Sequence, residues 1–166
     1  FAGESTSYSS SHEMIERSAN VISRILTDNK SAVNILIQNH RSSFSFHEVL
    51  KVAELVSHPG LGIIFSPDHC ILQNETPEDD HETIKKYTKQ LYMADLVVEG
   101  DYYQPLFPGK GTVPLKKSWQ ALGGTFFDGW VTFKWEKIWH PELEKPEIVL
   151  PLFIDFMRAL EQGIAS

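Results

Sequence analysis

Leu61-Gly62-Ile63-Ile64-Phe65 is a run of five residues with no polar side chain on either face. A strand with one wet face alternates apolar and polar residues, whereas a strand covered on both faces does not. The run therefore reads as a buried strand. Just before it, His58-Pro59-Gly60 ends a helix that opens at Ser45-Phe46-His47-Glu48 and runs to about Val56. The Ser45–Glu48 spacing is that of a capping box.

The same alternation continues in both directions. Upstream, Val33 to Ile37 is a second buried-type strand, interrupted only by Asn34. Before it, Met14, Ile15, Ala19, Ile22, Ile25 and Leu26 recur at helical spacing, with a capping box at Ser10–Glu13. Downstream, Pro77 and the acidic turn Glu78-Asp79-Asp80 start a helix expected to reach about Tyr92, since acidic groups suit the positive end of the helix dipole. Leu96-Val97-Val98 is expected as the third strand. Val113-Pro114 leads into a helix ending near Gly123-Gly124, Trp130 to Trp135 is the fourth strand, and a last helix follows Pro146 to about Leu160.

One helix followed by four strand–helix units, repeating at about 33 residues, implies an α/β fold with a parallel sheet. Two closures suit that order: an open doubly wound sheet, or part of an eight-stranded barrel. No G-x-G-x-x-G follows a strand and no G-x-x-x-x-G-K-[ST] is present; Gly109-Lys110-Gly111 is too short for either. That argues against a nucleotide-binding sheet.

Composition narrows the partners. Residues 1–166 have the length of one domain, with 42% hydrophobic and 22% charged residues, as in ordinary globular proteins. Net charge is −7 and the isoelectric point about 5.4. Lys85-Lys86 and Lys116-Lys117 are isolated basic pairs, so nucleic acid is not expected as a partner. Nor is a membrane, because no apolar run nears the ~18–20 residues of a span. A single cysteine, Cys70, rules out an internal disulfide framework. Phe1 to Ser11 has no signal-peptide pattern, and a cytoplasmic location is expected. Asn74-Glu75-Thr76 has the form of a glycosylation sequon and is read as a chance match.

Five segments, in order, resemble strand ends of the xylose-isomerase-like sugar isomerase/epimerase barrels. Ile35-Leu36-Ile37-Gln38-Asn39-His40 resembles the fifth strand, ending Glu-Asn-His. Leu61 to His69 resembles the sixth, ending Asp-Pro-Gly-His. Val97-Val98-Glu99-Gly100-Asp101 is set against the seventh, with its His-x-Lys-Asp. Pro108 to Pro114 resembles the Gly-Glu-Gly loop, and Phe127 to Lys137 the eighth strand, Tyr-Asp-Gly-Trp-Val-Ser-Leu-Glu-Trp-Glu-Lys. Trp139-His140-Pro141-Glu142-Leu143 matches a subset of the family. The resemblance implies a partial TIM barrel, strands four or five to eight, with Phe1-Ala2-Gly3 as the end of strand four.

It also implies a site at the C-terminal ends of the strands. There the family holds a divalent metal with two Glu, one Asp and one His. Carried over, these positions are Gln38, Ser66, Val98 and Lys134. All four are substituted, so no metal or other cofactor is expected. His69, Asp101, Gly109, Gly111 and Glu136 keep family residue types, while Gly100 replaces the seventh-strand Lys. The candidate substrate-binding residues are Gln38, His40, His69, Asp101, Lys134 and Glu136, with Lys134 the candidate catalytic residue. Lys134 has three readings: paired with Asp68, Asp101 or Glu136; a fixed cation replacing the metal; or a base or Schiff-base amine. His40, Asp68 and His69 form a weaker metal candidate, and Trp119, Trp130, Trp135 and Trp139, with Tyr102 and Tyr103, a sugar-stacking candidate.

The expected function is that of a degenerate, metal-free, carbohydrate-binding or regulatory half-barrel. An active sugar isomerase/epimerase, metal-independent or completed by an N-terminal half, and a structural assembly module are the alternatives. The expected partners are a sugar or sugar phosphate, and either a second copy or an N-terminal half-barrel.

Overall fold

The computed structural model describes residues 11–28, 33–76, 81–100 and 102–163. The elements run α1 (Ser11–Asp28), β1 (Ile35–Gln38), α2 (Phe46–Val56), β2 (Leu61–Phe65), α3 (Pro67–Leu72), α4 (His81–Tyr87), β3 (Thr88–Met93), β4 (Asp95–Glu99), β5 (Tyr102–Leu106), α5 (Leu115–Ala121), a 3-10 turn (Gly124–Phe126), β6 (Trp130–Phe133) and α6 (Pro146–Glu161). Strands β1, β2, β3 and β6 form one parallel sheet in that order. This is the α/β architecture of a partial TIM barrel. The Ser10 cap, the Phe1-Ala2-Gly3 strand end and the Pro77 helix start lie outside the described residues.

One face of the sheet carries the core. Leu61, Ile63, Phe65, Leu91 and Met93 are buried there with Val49 and Leu50 of α2 and Trp119 and Leu122 at α5; Ile35, Ile37 and Val131 pack against the same cluster. The opposite face, the barrel interior, carries Leu36, Gly62 and Gln90. Gly62 is required for packing: a Cβ there would sit 2.5 Å from Lys89 Cγ and 2.8 Å from Leu36 Cδ2. Helix α2 begins as its sequence demands. Ser45 accepts from the Glu48 N–H (3.2 Å), and Glu48 accepts from the Ser45 N–H (2.8 Å). Helix α6 packs through Phe153, whose ring stacks on Phe133 with centroids 4.5 Å apart.

The third strand of the sheet is Thr88–Met93, not Leu96–Val98. The helix expected to reach Tyr92 ends at Tyr87, and Thr88-Lys89-Gln90-Leu91-Tyr92-Met93 pairs with β2 and β6. The segment buries Leu91 and Met93 and leaves Lys89 exposed, so it satisfies one covered face while looking helical in composition. Between Ile63↔Thr88 and Ile64↔Gln90 the register shifts by one residue, Lys89. Leu96-Val97-Val98 belongs instead to an antiparallel hairpin, β4 against β5. Its β-branched run earned the strand assignment, but not a place in the sheet.

Candidate functional site

The site forms where β1, β2 and β6 end. Beyond β1, the buried Asn39 clamps the neighbouring strand end. Its Nδ2 donates to Ser66 O and its Oδ1 accepts the Ser66 N–H, both at 2.9 Å. This fixes the entry to α3, where Pro67 supplies the first helical position. Ser66 Oγ donates to Asp68 Oδ1 at 2.6 Å. Asp68 and His69, in the first turn of α3, are both buried and face the end of β6.

Lys134 follows β6. Its Nζ lies 2.9 Å from Asp68 Oδ2, 3.1 Å from Glu136 Oε1 and 3.2 Å from His69 Nε2. An ammonium has three donors, and here each faces an acceptor atom. Burial alone would lower the Lys134 pKa, but the Asp68 and Glu136 carboxylates outweigh it and raise the value. Burial pushes His69 down to about 4, with the Lys134 charge also lowering it and Asp68 opposing. The ring is therefore neutral near pH 7. Its Nδ1 also lies 3.3 Å from the Arg41 N–H. A neutral imidazole offers a single lone pair, and the charge-assisted contact from Lys134 is the stronger claim on it.

Further groups close round this centre. The His40 ring lies 4.3 Å from that of His69, and burial with the nearby Lys134 charge lowers its pKa. His40 is held through Nδ1, which meets Ser42 Oγ at 2.8 Å. Tyr103 donates weakly to Glu136 Oε2 at 3.4 Å and carries the Arg41 guanidinium 4.9 Å above its ring. Beside Lys134, under Tyr103 and Pro105 of β5, only about 20 Å³ is left, room for roughly one water.

Asp95 holds the hairpin in place, a role not singled out from the sequence. Buried at the start of β4, two residues past the end of β3, it accepts N–H groups from Gly109 and Gly111 at Oδ2 (both 2.8 Å) and from Leu96 (2.9 Å) and Val113 (3.1 Å) at Oδ1. Glycine at 111 is obligatory, because a Cβ there would overlap Asp95 Oδ1 and lie 2.5 Å from Leu96 O. Val98, the position carried over from the family's metal-binding His, sits on the hairpin and is 41% exposed. The signal available in the sequence was an Asp two residues beyond a strand and a Gly-x-Gly about fifteen residues later.

Of the other candidates, His40, His69, Lys134 and Glu136 come together, with Asp68 as the buried partner of Lys134. Gln38 lies beside His40 in a groove along β1. Asp101 lies outside the described residues. Trp119 is buried, Trp130 and Trp139 are exposed, and Trp135 donates to Glu144 O at 2.9 Å. Cys70 is buried in the core, and burial raises its thiol pKa far above the usual range.

The described residues at these strand ends do not fit a divalent centre. Among the described residues no group of three or more His, Cys, Asp or Glu could hold a metal ion. The two carboxylates nearest the expected centre are already engaged by an ammonium, which would repel an incoming cation by several kcal/mol at ~4 Å and an effective dielectric of ~20.

A parallel α/β sheet with polar groups gathered at its strand ends is consistent with a partial TIM barrel. The chain belongs to the xylose isomerase-like TIM barrel family, whose family model matches residues 1–151. Solved structures share the fold at low identity. A xylose isomerase domain protein from Planctomyces limnophilus has 18% identity and a TM-score of 0.66, covering 99% of this chain and 56% of its own. The IOLI protein with a binding zinc atom has 13% identity and a TM-score of 0.75, covering 100% and 62%. A D-psicose 3-epimerase with D-tagatose, from Clostridium cellulolyticum H10, has 14% identity and a TM-score of 0.67, covering 96% and 61%. This chain thus spans about three-fifths of the length of each. No curated protein matches it in sequence. Among the described residues, no helix is long and apolar enough to cross a membrane.

Proposed function

We propose that this chain is a degenerate, metal-independent member of its family, binding a carbohydrate without isomerising it. The observation that carries the reading is the Lys134 ammonium, ringed by Asp68, Glu136 and His69 at 2.9–3.2 Å. By the family resemblance it stands at a position where a metal-binding carboxylate is expected, and each of its donors faces an acceptor. A raised Lys134 pKa keeps the amine protonated and disfavours the base and Schiff-base readings. The 20 Å³ beside it admits no sugar, so a ligand would meet the open side, where Arg41, Tyr103, His40 and Glu136 offer a stacked cation, a ring and hydrogen-bonding edges. Likeness to a D-psicose 3-epimerase solved with D-tagatose makes ketohexoses the first ligands to try.

The test is thermal melting of chelator-stripped protein with Mn²⁺, Mg²⁺ or Zn²⁺, then with ketohexoses and their phosphates, alongside an isomerisation assay. Sugar-dependent stabilisation with no metal response and no turnover is expected. A metal-induced rise in melting temperature, or conversion of any ketose, would overturn the reading.

A further inference from the structure

His40 and Arg41 follow β1 on the loop to α2, and each carries donors that meet no acceptor among the described residues. His40 Nδ1 lies 2.8 Å from Ser42 Oγ and 3.4 Å from the Ser42 backbone nitrogen. A backbone N–H can only donate, so Nδ1 is the acceptor of a neutral ring and Nε2 carries the proton. Burial and the Lys134 and Arg41 charges lower the His40 pKa, which keeps the ring neutral near pH 7 and Nε2–H a fixed donor.

Arg41 is anchored through its backbone, whose N–H faces His69 Nδ1 at 3.3 Å. Its guanidinium is held 4.9 Å from the centre of the Tyr103 ring and pairs with no carboxylate among the described residues. A guanidinium held over a ring face spends no N–H on a lone pair, so its fork stays open to a bidentate acceptor. The carboxylates of the site are not open in the same way, because Lys134 holds both Asp68 and Glu136. The mouth thus offers a ligand one fixed positive charge and a neighbouring neutral donor.

We propose that the ligand of this site carries a carboxylate, received by the Arg41 guanidinium and the His40 Nε2–H, which makes it a sugar acid. The proposal rests on the carbohydrate reading above and adds the charged group. Charge favours a carboxylate over a phosphate. Lys134 and Arg41 balance Asp68 and Glu136, and both imidazoles are neutral. A carboxylate brings a single negative charge, whereas a phosphate monoester brings nearly two at about pH 7, close to Glu136 and in a chain of net charge −7. One guanidinium neutralises the first and not the second.

The test is titration calorimetry of the purified chain. The probes are hexonates and hexuronates of the gluco, galacto and manno series, the neutral hexoses, their 6-phosphates, and propionate. At least one acid is expected to bind about tenfold or more tightly than its neutral and phosphorylated counterparts. That advantage should shrink severalfold when salt is raised, while neutral-sugar binding should not respond. Arg41→Met should abolish the advantage, and Arg41→Lys, which keeps the charge without the fork, should retain part of it. The salt series and the Lys variant carry the test if Arg41→Met does not fold. Neutral sugars binding as tightly as the acids, or a preference for phosphates, overturns the proposal and leaves carbohydrate binding intact. Propionate binding as tightly as the sugar acids, with the same Arg41 dependence, supports the carboxylate contact and sinks the carbohydrate reading. No binding by any probe overturns both.

Discussion

Lys134 Nζ and Asp68 Oδ2 lie 2.9 Å apart, joining the end of the last strand to the first turn of α3 across 66 residues of sequence. Asp68 is almost wholly buried and Lys134 one-fifth exposed. Removing one partner strands the other in a poor solvent for charge, which costs more than the pair contributes. Lys134→Met should therefore lower stability by about 2–3 kcal/mol, somewhat less than for a fully buried pair. Asp68→Asn in the same chain should restore part of the loss. Urea unfolding of both single variants and the double variant gives the coupling, and a coupling near zero would refute the pairing.

Charge reversal tests the metal argument from the other side. Lys134→Glu places a third carboxylate beside Asp68 and Glu136, the arrangement a hard cation favours. The variant should be less stable than the parent in chelator and should regain several degrees of melting temperature with Mn²⁺. The parent should not respond.

His69 makes stability fall in mild acid. Its folded pKa is depressed to about 4, whereas the unfolded chain titrates near 6.5. Between these values the unfolded state takes up a proton that the folded state refuses, so stability is full above about pH 6.5 and declines toward pH 4. The decline attributable to this ring is up to about 3 kcal/mol. His69→Phe should flatten that part of the stability–pH curve, as read from urea midpoints at half-unit steps.

Asp95 should be as sensitive as any core residue. In Asp95→Asn, one carboxylate oxygen becomes an NH₂ group facing backbone N–H groups that need an acceptor. A loss of about 2–3 kcal/mol is expected. Gly111→Ala should cost a similar amount by overlap with Asp95. Loss of hydrogen-exchange protection at Gly109, Gly111 and Val113 would locate the damage.

The sequence made most of this fold legible. Two residues, Ser45 and Glu48, announced α2, an unbroken apolar run announced β2, and a run interrupted only by Asn34 announced β1. Lys134 stood out because a family carboxylate position held the opposite charge. What sequence reading misassigned was β3. Thr88-Lys89-Gln90 continues a Lys-rich helical pattern, whereas Leu96-Val97-Val98 has the stronger strand propensity. Tertiary pairing overrode propensity. Asp95 went unnoticed because its partners are backbone amides, which leave no mark in residue identity. Asp68 as the partner of Lys134 could be suggested, not chosen, because Asp101 and Glu136 were equally open.

The single extra residue in β3 reaches further than its size suggests. Lys89 shifts the phase of the strand, so that Leu91 and Met93 reach the core while Gln90 meets Thr132 across the interior, Nε2 donating to Oγ1 at 2.7 Å. Deleting Lys89 would leave Thr88, Gln90 and Leu91 opposite Ile63, Ile64 and Phe65 in unbroken register, with Leu91 and Met93 still on the core side. A sequence comparison that treats β3 as unbroken alternation will place Asp95, the residue that anchors the hairpin over the site, out of step.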